Sequence, residues 1–272
     1  MKKNYSAADE IANLSKVGAN YDQTVEYWQN LKIKTVNDYQ QKLANFKILF
    51  AYNSNKIENE KTDYYDTREL FENGKILNYT GDVKTLFEQQ NQKICYDFLL
   101  PYLESKTKID SELIKEIHKI LTSGTYDEQR YLVNNERPGE FKKHAYIIGK
   151  NEIGSAVNKV ENDLNDLLAE IAMSDTGAEN NYIIMTAAYF HCRFEQIHPF
   201  ADGNGRVGRT LLNYFLMIND YPPLIVYDDD KLTYYRCLEE FDVTDNLTAM
   251  VKFIQYESNK TWHKSMELAK DF

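Results

Sequence analysis

Apolar residues recur through most of the chain at steps of three or four residues or multiples of these, the spacing of one face of an α-helix. The first such stripe runs from Tyr39 through Leu43, Phe46 and Phe50 to Ile57. Further stripes cover residues 85–103, 111–121, 157–171, 181–196, 209–218, 232–241 and 247–256. Only 5 prolines and 11 glycines interrupt the 272 residues. The pattern therefore predicts a mainly α fold, arranged as a helical bundle.

One segment departs from the helical pattern. The sequence RPGE at residues 137–140 is typical of a turn, and the β-forming residues Ile147 and Ile148 follow it before Gly149. We expect a small β-hairpin, or flap, at this point. No internal repeat and no low-complexity linker divides the chain, so a compact unit or a core with an appended helical segment is expected.

Composition limits the classes of function. The chain has 42 acidic and 32 basic residues, a formal net charge of -10, whereas general nucleic-acid binders are usually basic. Three scattered cysteines, Cys95, Cys192 and Cys237, lack metal-ligand spacing and indicate reduced thiols. No signal peptide is apparent and no apolar run is long enough to cross a bilayer, so we expect neither a leader nor a membrane span. We therefore expect a cytoplasmic protein that binds neither nucleic acid nor membrane.

The most informative segment is HPFADGNGRVGR, residues 198–209. It joins two apolar helical stripes, and Pro199 marks the end of the first helix. Gly203 and Gly205 allow a ligand to approach the backbone closely. The first N–H groups of the second helix have no partner within that helix, and the positive end of the helix dipole adds to them. The segment therefore predicts an anion-binding turn.

Charged side chains in the same segment point to a polyphosphate. Arg206 and Arg209 are three residues apart and can face the same side of the helix, although cations at that end oppose the dipole. Asp202 offers an oxygen ligand of the kind that suits Mg²⁺ bridging phosphates. His198 has an ordinary pKa of about 6.5 and can act as a general base near pH 7. Each residue alone could be structural, but together they indicate a catalytic site.

The segment resembles the signature of the Fic family, His-x-Phe-x-(Asp/Glu)-Gly-Asn-Gly-Arg-x-x-Arg, at every fixed position. The resemblance extends over roughly residues 111–254. It implies a Fic-type helical bundle and a protein adenylyltransferase, a nucleotidyltransferase that moves AMP from ATP to a Ser, Thr or Tyr hydroxyl of a protein. It also implies an N-terminal helical region at 1–108, a Fic core at 109–257 and a C-terminal tail at 258–272.

The resemblance gives each position of the signature a role. It assigns His198 as the base that takes the proton from the target hydroxyl, and Asp202 as the ligand of Mg²⁺ on the α- and β-phosphates. It assigns Arg206 to the phosphates in general and Arg209 to the γ-phosphate. The residues expected to form the anion-binding turn are Gly203, Asn204 and Gly205.

Two further correspondences concern the target peptide and the adenine of the nucleotide. Tyr234 and Tyr235 resemble a paired-tyrosine position near adenine in some relatives, while Asp242 stands where relatives often carry Asn, which leaves the base contacts open. The family's flap receives the target peptide by strand pairing. An ordinary exposed hairpin is the alternative at this position. The flap residues expected to dock the target are Ile147, Ile148 and Gly149.

An inhibitory segment is expected upstream, at residues 54–59. The sequence SNKIEN resembles the (Ser/Thr)-x-x-x-Glu-(Gly/Asn) motif of autoinhibited Fic proteins, and Ser54 and Glu58 lie on one helical face. The resemblance implies that Glu58 pairs with Arg209 and blocks the γ-phosphate. Holding about 99% of molecules inhibited requires about 2.7 kcal/mol. One charge-assisted hydrogen bond contributes about 1.5–3 kcal/mol, so one pair is sufficient.

Three alternatives stay open at this point. The same site could hydrolyse AMP from a modified protein, with Glu58 orienting water. It could transfer UMP, phosphocholine or phosphate in place of AMP. It could also bind nucleotide without catalysis, although His198 disfavours that, since binding needs no base. The expected partners are ATP and a target protein or the chain itself, and an oligomer is possible.

Overall fold

Helices account for most of the residues that the computed structural model describes, which are 20–77, 79–148, 151–152, 154–173 and 181–270. The mainly α fold expected from the apolar stripes is confirmed. In chain order the α-helices are α1 (Tyr21–Asn30), α2 (Val36–Lys42), α3 (Ala44–Glu58), α4 (Tyr64–Asn73), α5 (Val83–Glu104), α6 (Ser111–Leu121), α7 (Val160–Met173), α8 (Asn181–Ile197), α9 (Asn204–Ile218), α10 (Lys231–Thr244) and α11 (Thr248–Lys270).

Side-chain caps explain where several helices begin. Five of them start after an Asn, Thr or Asp whose side chain accepts a backbone N–H of the first turn, which satisfies a group that has no partner within the helix. These capping residues are Asn20, Thr35, Asp63, Asp82 and Asp110. Helix α9 differs, since it follows Gly203 and has no side-chain cap. Its first N–H groups therefore point toward the loop that precedes it.

Helices α8 and α9 form the centre of the bundle. Phe190 and Phe194 of α8 and Val207 and Leu211 of α9 are all fully buried in one hydrophobic core. Helix α9 has buried residues on every side, which is typical of a core helix surrounded by others. Helices α3, α5 and α6 pack against α9, whereas α7, α10 and α11 pack against α8.

Residues before 108 and after 257 join the same core. Helices α3 and α5 contact α9 directly, although both precede the expected Fic core. Helix α11 continues without a break to Lys270, so the boundary expected at residue 257 falls inside a helix. Trp262 of α11 donates a hydrogen bond from Nε1 to the Pro223 carbonyl at 2.7 Å, and its ring lies 5.3 Å from that of Trp28. The division into three parts stays a prediction.

Non-helical structure lies between α6 and α7. A π-helical turn spans Gln129–Val133, and strands β1 (Ile147–Ile148) and β2 (Asn151–Glu152) pair antiparallel over two residues each. Gly149 lies outside the described residues, and the side chains of Ile147 and Ile148 are not described. This pairing does not establish the expected hairpin flap, and target docking there stays a prediction. Among the described helices, none is long and apolar enough to span a membrane.

A buried amide holds α9 to the segment that follows it, and this generates a stability prediction. Asn213 donates from Nδ2 to the Leu224 carbonyl at 2.8 Å, and the Leu224 N–H donates to Asn213 Oδ1 at 2.8 Å. Asn213→Leu would leave both buried backbone groups without a partner. We expect the free energy of unfolding to fall by about 2–4 kcal/mol, measured by urea denaturation.

The matched control is Asn73→Leu, because Asn73 is exposed on α4. We expect this change to alter the free energy of unfolding by less than about 0.5 kcal/mol. If Asn213→Leu cost no more than the control, the assigned role of Asn213 would be refuted.

Candidate active site

The loop between α8 and α9 turns sharply at both of its ends. His198 has a φ of 48°, and its N–H donates to the Phe194 carbonyl at 3.0 Å, which closes the last turn of α8. Gly203 has a φ of 82°, a conformation that glycine adopts without a Cβ penalty. Asn204, the first residue of α9, reaches back into the loop, where it accepts the Phe200 N–H at 2.9 Å and donates to the Phe200 carbonyl at 2.8 Å. The side chain of Asn204 therefore fixes the loop from within.

His118 of α6 supports the same loop. Its Nδ1 accepts the Gly139 N–H at 2.8 Å, so the proton resides on Nε2, which donates to the Asp202 carbonyl at 3.1 Å. Its ring stacks on Phe200, with centroids 3.7 Å apart and planes at 3°. Burial lowers the pKa of His118 to about 3, so this ring is neutral near pH 7. Sequence reasoning missed this residue because a single histidine on an apolar helix face gives no distinctive signal.

His198 is neutral for a related reason. Burial lowers its pKa to about 4, and the positive charge of Lys142 contributes in the same direction. The Lys142 N–H donates to the Pro199 carbonyl at 2.9 Å, which holds this lysine beside the loop. Gly154 also lies against His198, since a methyl group on Gly154 would come within 2.5 Å of His198 Cβ and 3.0 Å of Lys142 Nζ. Near pH 7 the imidazole is therefore unprotonated, which is the state that a general base requires.

Arg206 supplies donors at the start of α9. Its side chain is 3% exposed, and Nε and Nη1 have no hydrogen-bond partner within the described residues. Unpaired buried N–H donors are costly unless a ligand completes them. The nearest carboxylate is Glu88 of α5, whose Oε1 lies 3.4 Å from Arg206 Nη1. Glu88 is itself buried and accepts from Asn59 Nδ2 at 2.9 Å. Sequence reasoning missed Glu88, which is 118 residues from Arg206.

Asp202 has the chemistry expected of a Mg²⁺ ligand. Its Oδ1 accepts the Gly203 N–H at 2.8 Å, while Oδ2 lies 3.7 Å from Lys84 Nζ. The side chain is 25% exposed, so one carboxylate oxygen is within reach of solvent. The described residues contain no group of three or more side chains that could cage a metal by themselves. A single carboxylate beside phosphate-binding groups is how Mg²⁺ is commonly held with a nucleotide, so the residues fit this ion.

The predicted inhibitory segment lies against Arg209. The guanidinium of Arg209 is 1% exposed, and its Nε donates to Ser54 Oγ at 3.1 Å. Its Nη2 donates to the Ser54 carbonyl at 2.9 Å and to Glu58 Oε1 at 2.8 Å. The carboxylate of Glu58 also contacts Gly205 so closely that a methyl group on Gly205 would overlap it. The structure thus brings Ser54, Glu58, Gly205 and Arg209 together at one point.

The two tyrosines occupy different environments. Tyr234 is 1% exposed, and its hydroxyl lies 2.8 Å from His191 Nε2. Its ring centroid is 5.9 Å from Arg209 Cζ, so it packs inside the core against the guanidinium. Tyr235 is 43% exposed and is the member of the pair that solutes can reach. The expected contact of both residues with adenine stays a prediction.

The comparisons with known proteins agree on one family. The model of the Fic/DOC family matches residues 108–216. The chain is 26% identical to protein adenylyltransferase fic-1 of Caenorhabditis briggsae over 83% of this chain and 45% of that protein. It is 27% identical to protein adenylyltransferase Fic of Drosophila melanogaster over 77% of this chain and 40% of that protein. The chain therefore spans less than half the length of these curated relatives.

Solved structures give the same fold. A Fic domain containing signaling protein of Bacteroides thetaiotaomicron superposes with a TM-score of 0.78 at 22% identity, over 93% of this chain and 97% of that one. A fragment of Fic-1 from Caenorhabditis elegans gives a TM-score of 0.72 at 19% identity, over 92% and 73%. The Fic-type helical bundle is thus confirmed as the fold of this chain.

The environment of His198 generates a prediction about its proton. With the pKa lowered to about 4, the imidazole of the free protein should not titrate between pH 5 and pH 8. The measurement is an NMR titration of the imidazole ¹³Cε1–¹H signals, with the His198 signal assigned by its loss in His198→Ala. A midpoint between pH 6 and pH 7, the range of a solvated imidazole, would contradict the described environment.

Proposed function

We propose that this chain is a protein adenylyltransferase. The premise is its match to the Fic/DOC family over residues 108–216. It would transfer AMP from ATP to a Ser, Thr or Tyr hydroxyl of a target protein or of the chain itself. The names of the curated relatives support this activity. The observation that carries the proposal is a neutral His198 in the loop before Arg206, whose buried Nε and Nη1 have no hydrogen-bond partner among the described residues.

The proposed reaction needs two contributions from the protein: a base that accepts a proton, and groups that neutralise the charge of the phosphates. His198 accepts the hydroxyl proton while the hydroxyl oxygen forms a bond to the α-phosphorus, and the bond to the leaving pyrophosphate breaks. Arg206 and the uncapped N–H groups of α9 stabilise the negative charge of the phosphates. A Mg²⁺ ion held by Asp202 would neutralise charge on the α- and β-phosphates. In-line displacement at phosphorus depends mainly on such positioning.

Glu58 is proposed to inhibit this reaction. It occupies Arg209 Nη2 at 2.8 Å, the donor that the family resemblance assigns to the γ-phosphate. Ser54 occupies Nε of the same guanidinium at 3.1 Å, which sets its orientation. Glu58 is 37% exposed, so solvent screens the pair, and we expect its contribution in the lower half of about 1.5–3 kcal/mol. Such an inhibition is strong and still reversible.

Removal of the Glu58 carboxylate tests the inhibition. We expect Glu58→Gly to raise AMP transfer by about ten- to fiftyfold, since each 1.4 kcal/mol corresponds to a factor of ten. The measurement is incorporation of label from labelled ATP with Mg²⁺ into a protein lysate. Mass spectrometry then identifies the transferred group and its acceptor. Labelled UTP and other donors in parallel distinguish transfer of AMP from that of other phosphate-linked groups.

Two controls accompany this measurement. Glu60→Gly removes a carboxylate that is 88% exposed and does not contact Arg209, and it should leave the rate unchanged. His198→Ala added to Glu58→Gly should abolish transfer. Equal rates in wild type and Glu58→Gly would refute the inhibitory role, and undiminished transfer in the double variant would refute the role of His198.

Removal of AMP from a modified protein is the second candidate activity. Glu58 bonds to Arg209 through Oε1, lies against Gly205 and keeps part of its carboxylate accessible to solvent. In that position it could orient a water molecule toward a phosphorus atom in the site. Release of AMP from a modified protein by wild type, lost in Glu58→Gly, would favour this activity. Release that persists in the variant would refute a role for Glu58 in it.

A further inference from the structure

Four side chains of alternating charge form a closed ring beside the candidate active site. Lys84 Nζ lies 3.7 Å from Asp202 Oδ2 and 3.8 Å from Glu88 Oε1. Glu88 Oε1 lies 3.4 Å from Arg206 Nη1, and Arg206 Nη2 lies 3.8 Å from Asp202 Oδ1. We call these four residues the charge ring. Two of its members come from α5 and two from the sequence segment 198–209.

The inner and outer halves of the charge ring differ in burial. The side chains of Glu88 and Arg206 are 5% and 3% exposed. Removing one partner of such a buried ion pair strongly destabilises the folded protein, because the other charge is left buried and unpaired. Glu88 is held in addition by Asn59 Nδ2 at 2.9 Å. Lys84 is 44% exposed, and Asp202 is 25% exposed. The outer pair can therefore exchange partners while the inner pair stays in place.

Lys84 faces the oxygen that a metal ion would use. Asp202 Oδ1 already accepts the Gly203 N–H, which leaves Oδ2 as the oxygen available to a cation. Lys84 is aligned with that oxygen because it sits one helical turn before Glu88 on α5. Its ammonium and a divalent cation repel each other, and they cannot both occupy the space around one carboxylate oxygen.

We propose that Lys84 is an internal competitor of the divalent cation at Asp202. Its ammonium neutralises the carboxylate when no metal is bound, and the flexible, exposed side chain moves away when a metal–nucleotide complex enters. This inference rests on the proposed function, because it assumes that a nucleotide brings its metal to Asp202. Lys84 would thereby set the concentration of Mg²⁺ that the protein requires.

A different role for Lys84 would be direct binding of phosphate, and the two roles predict opposite effects. Removing a competitor lowers the metal requirement and leaves metal-free nucleotide binding unchanged. Removing a phosphate ligand weakens nucleotide binding both with and without metal. The experiment therefore needs both conditions.

Electrostatics gives the size of the expected effect. A unit charge about 6 Å from a divalent ion in water changes the binding constant of that ion by about tenfold, and salt reduces the effect. We therefore expect Lys84→Met to lower the free Mg²⁺ concentration at half-saturation by about three- to tenfold.

The test measures the melting temperature of the full chain at a fixed ADP concentration while free Mg²⁺ is varied. ADP is chosen because it lacks the γ-phosphate, so the pair between Glu58 and Arg209 can persist. Lys84→Arg keeps the charge and should restore the wild-type midpoint. Lys93→Met is the matched control, because Lys93 lies on α5 and pairs with Asp97 at 3.0 Å, away from the charge ring. With EDTA, ADP should raise the melting temperature equally in wild type and Lys84→Met.

Every result of this experiment either supports or overturns the proposed role of Lys84. An unchanged or higher Mg²⁺ midpoint in Lys84→Met, or weaker ADP binding in EDTA, overturns it. If Lys84→Met does not fold, Lys84→Gln is measured in the same way. If the wild type responds to Mg²⁺ and ADP as expected but Glu58→Gly transfers no AMP, the proposed activity alone is refuted. A wild-type protein that responds to neither ligand overturns both proposals.

Discussion

The burial of one positive charge determines how the N-terminal helices meet the rest of the molecule. Arg209 is 1% exposed on a core helix, and a buried guanidinium is tolerated only when other groups satisfy it. Its three hydrogen bonds go to Ser54 and Glu58 at the end of α3. The electrostatic requirement of a residue more than 150 positions later therefore contributes to the position of α3.

The same principle applies along the whole of α9. This helix is buried on every side, yet it carries Asn204, Arg206, Arg209 and Asn213 among its buried residues. Asn204 and Asn213 form hydrogen bonds with neighbouring backbone, whereas Nε and Nη1 of Arg206 find no hydrogen-bond partner in the described part of the chain. Other buried polar atoms of the described core also lack a hydrogen-bond partner. Arg206 differs from them in its position, because it lies at the candidate site.

The sequence was a good guide wherever helices bury one apolar face. The stripe at 111–121 coincides with α6, and the stripe at 85–103 lies within α5. The stripe from Tyr39 to Ile57 was less accurate, because the backbone breaks at Leu43 between α2 and α3 without an interruption in hydrophobicity. Helices α1 and α4 went unidentified. Their apolar faces are short, and their stability comes from caps and from packing on other helices.

The candidate site also has residues that the sequence predicts and residues that it does not. Residues 198–209 could be identified because the chemistry-bearing groups are contiguous in sequence, and residues 54–59 because they form a recognisable pattern. Lys84, Glu88 and His118 could not, because ordinary helix-surface or core positions acquire their meaning only when folding brings them to the loop. Gly154 was missed for a related reason, since the space that requires a glycine is created by His198.

The hydrogen bond from Asn59 to Glu88 has a mechanical consequence. Asn59 directly follows the residue that pairs with Arg209, while Glu88 is the carboxylate nearest to Arg206. A displacement of the end of α3 that carries Glu58 away also withdraws Asn59 from Glu88. The surroundings of both guanidinium groups, Arg209 and Arg206, then change together in one motion.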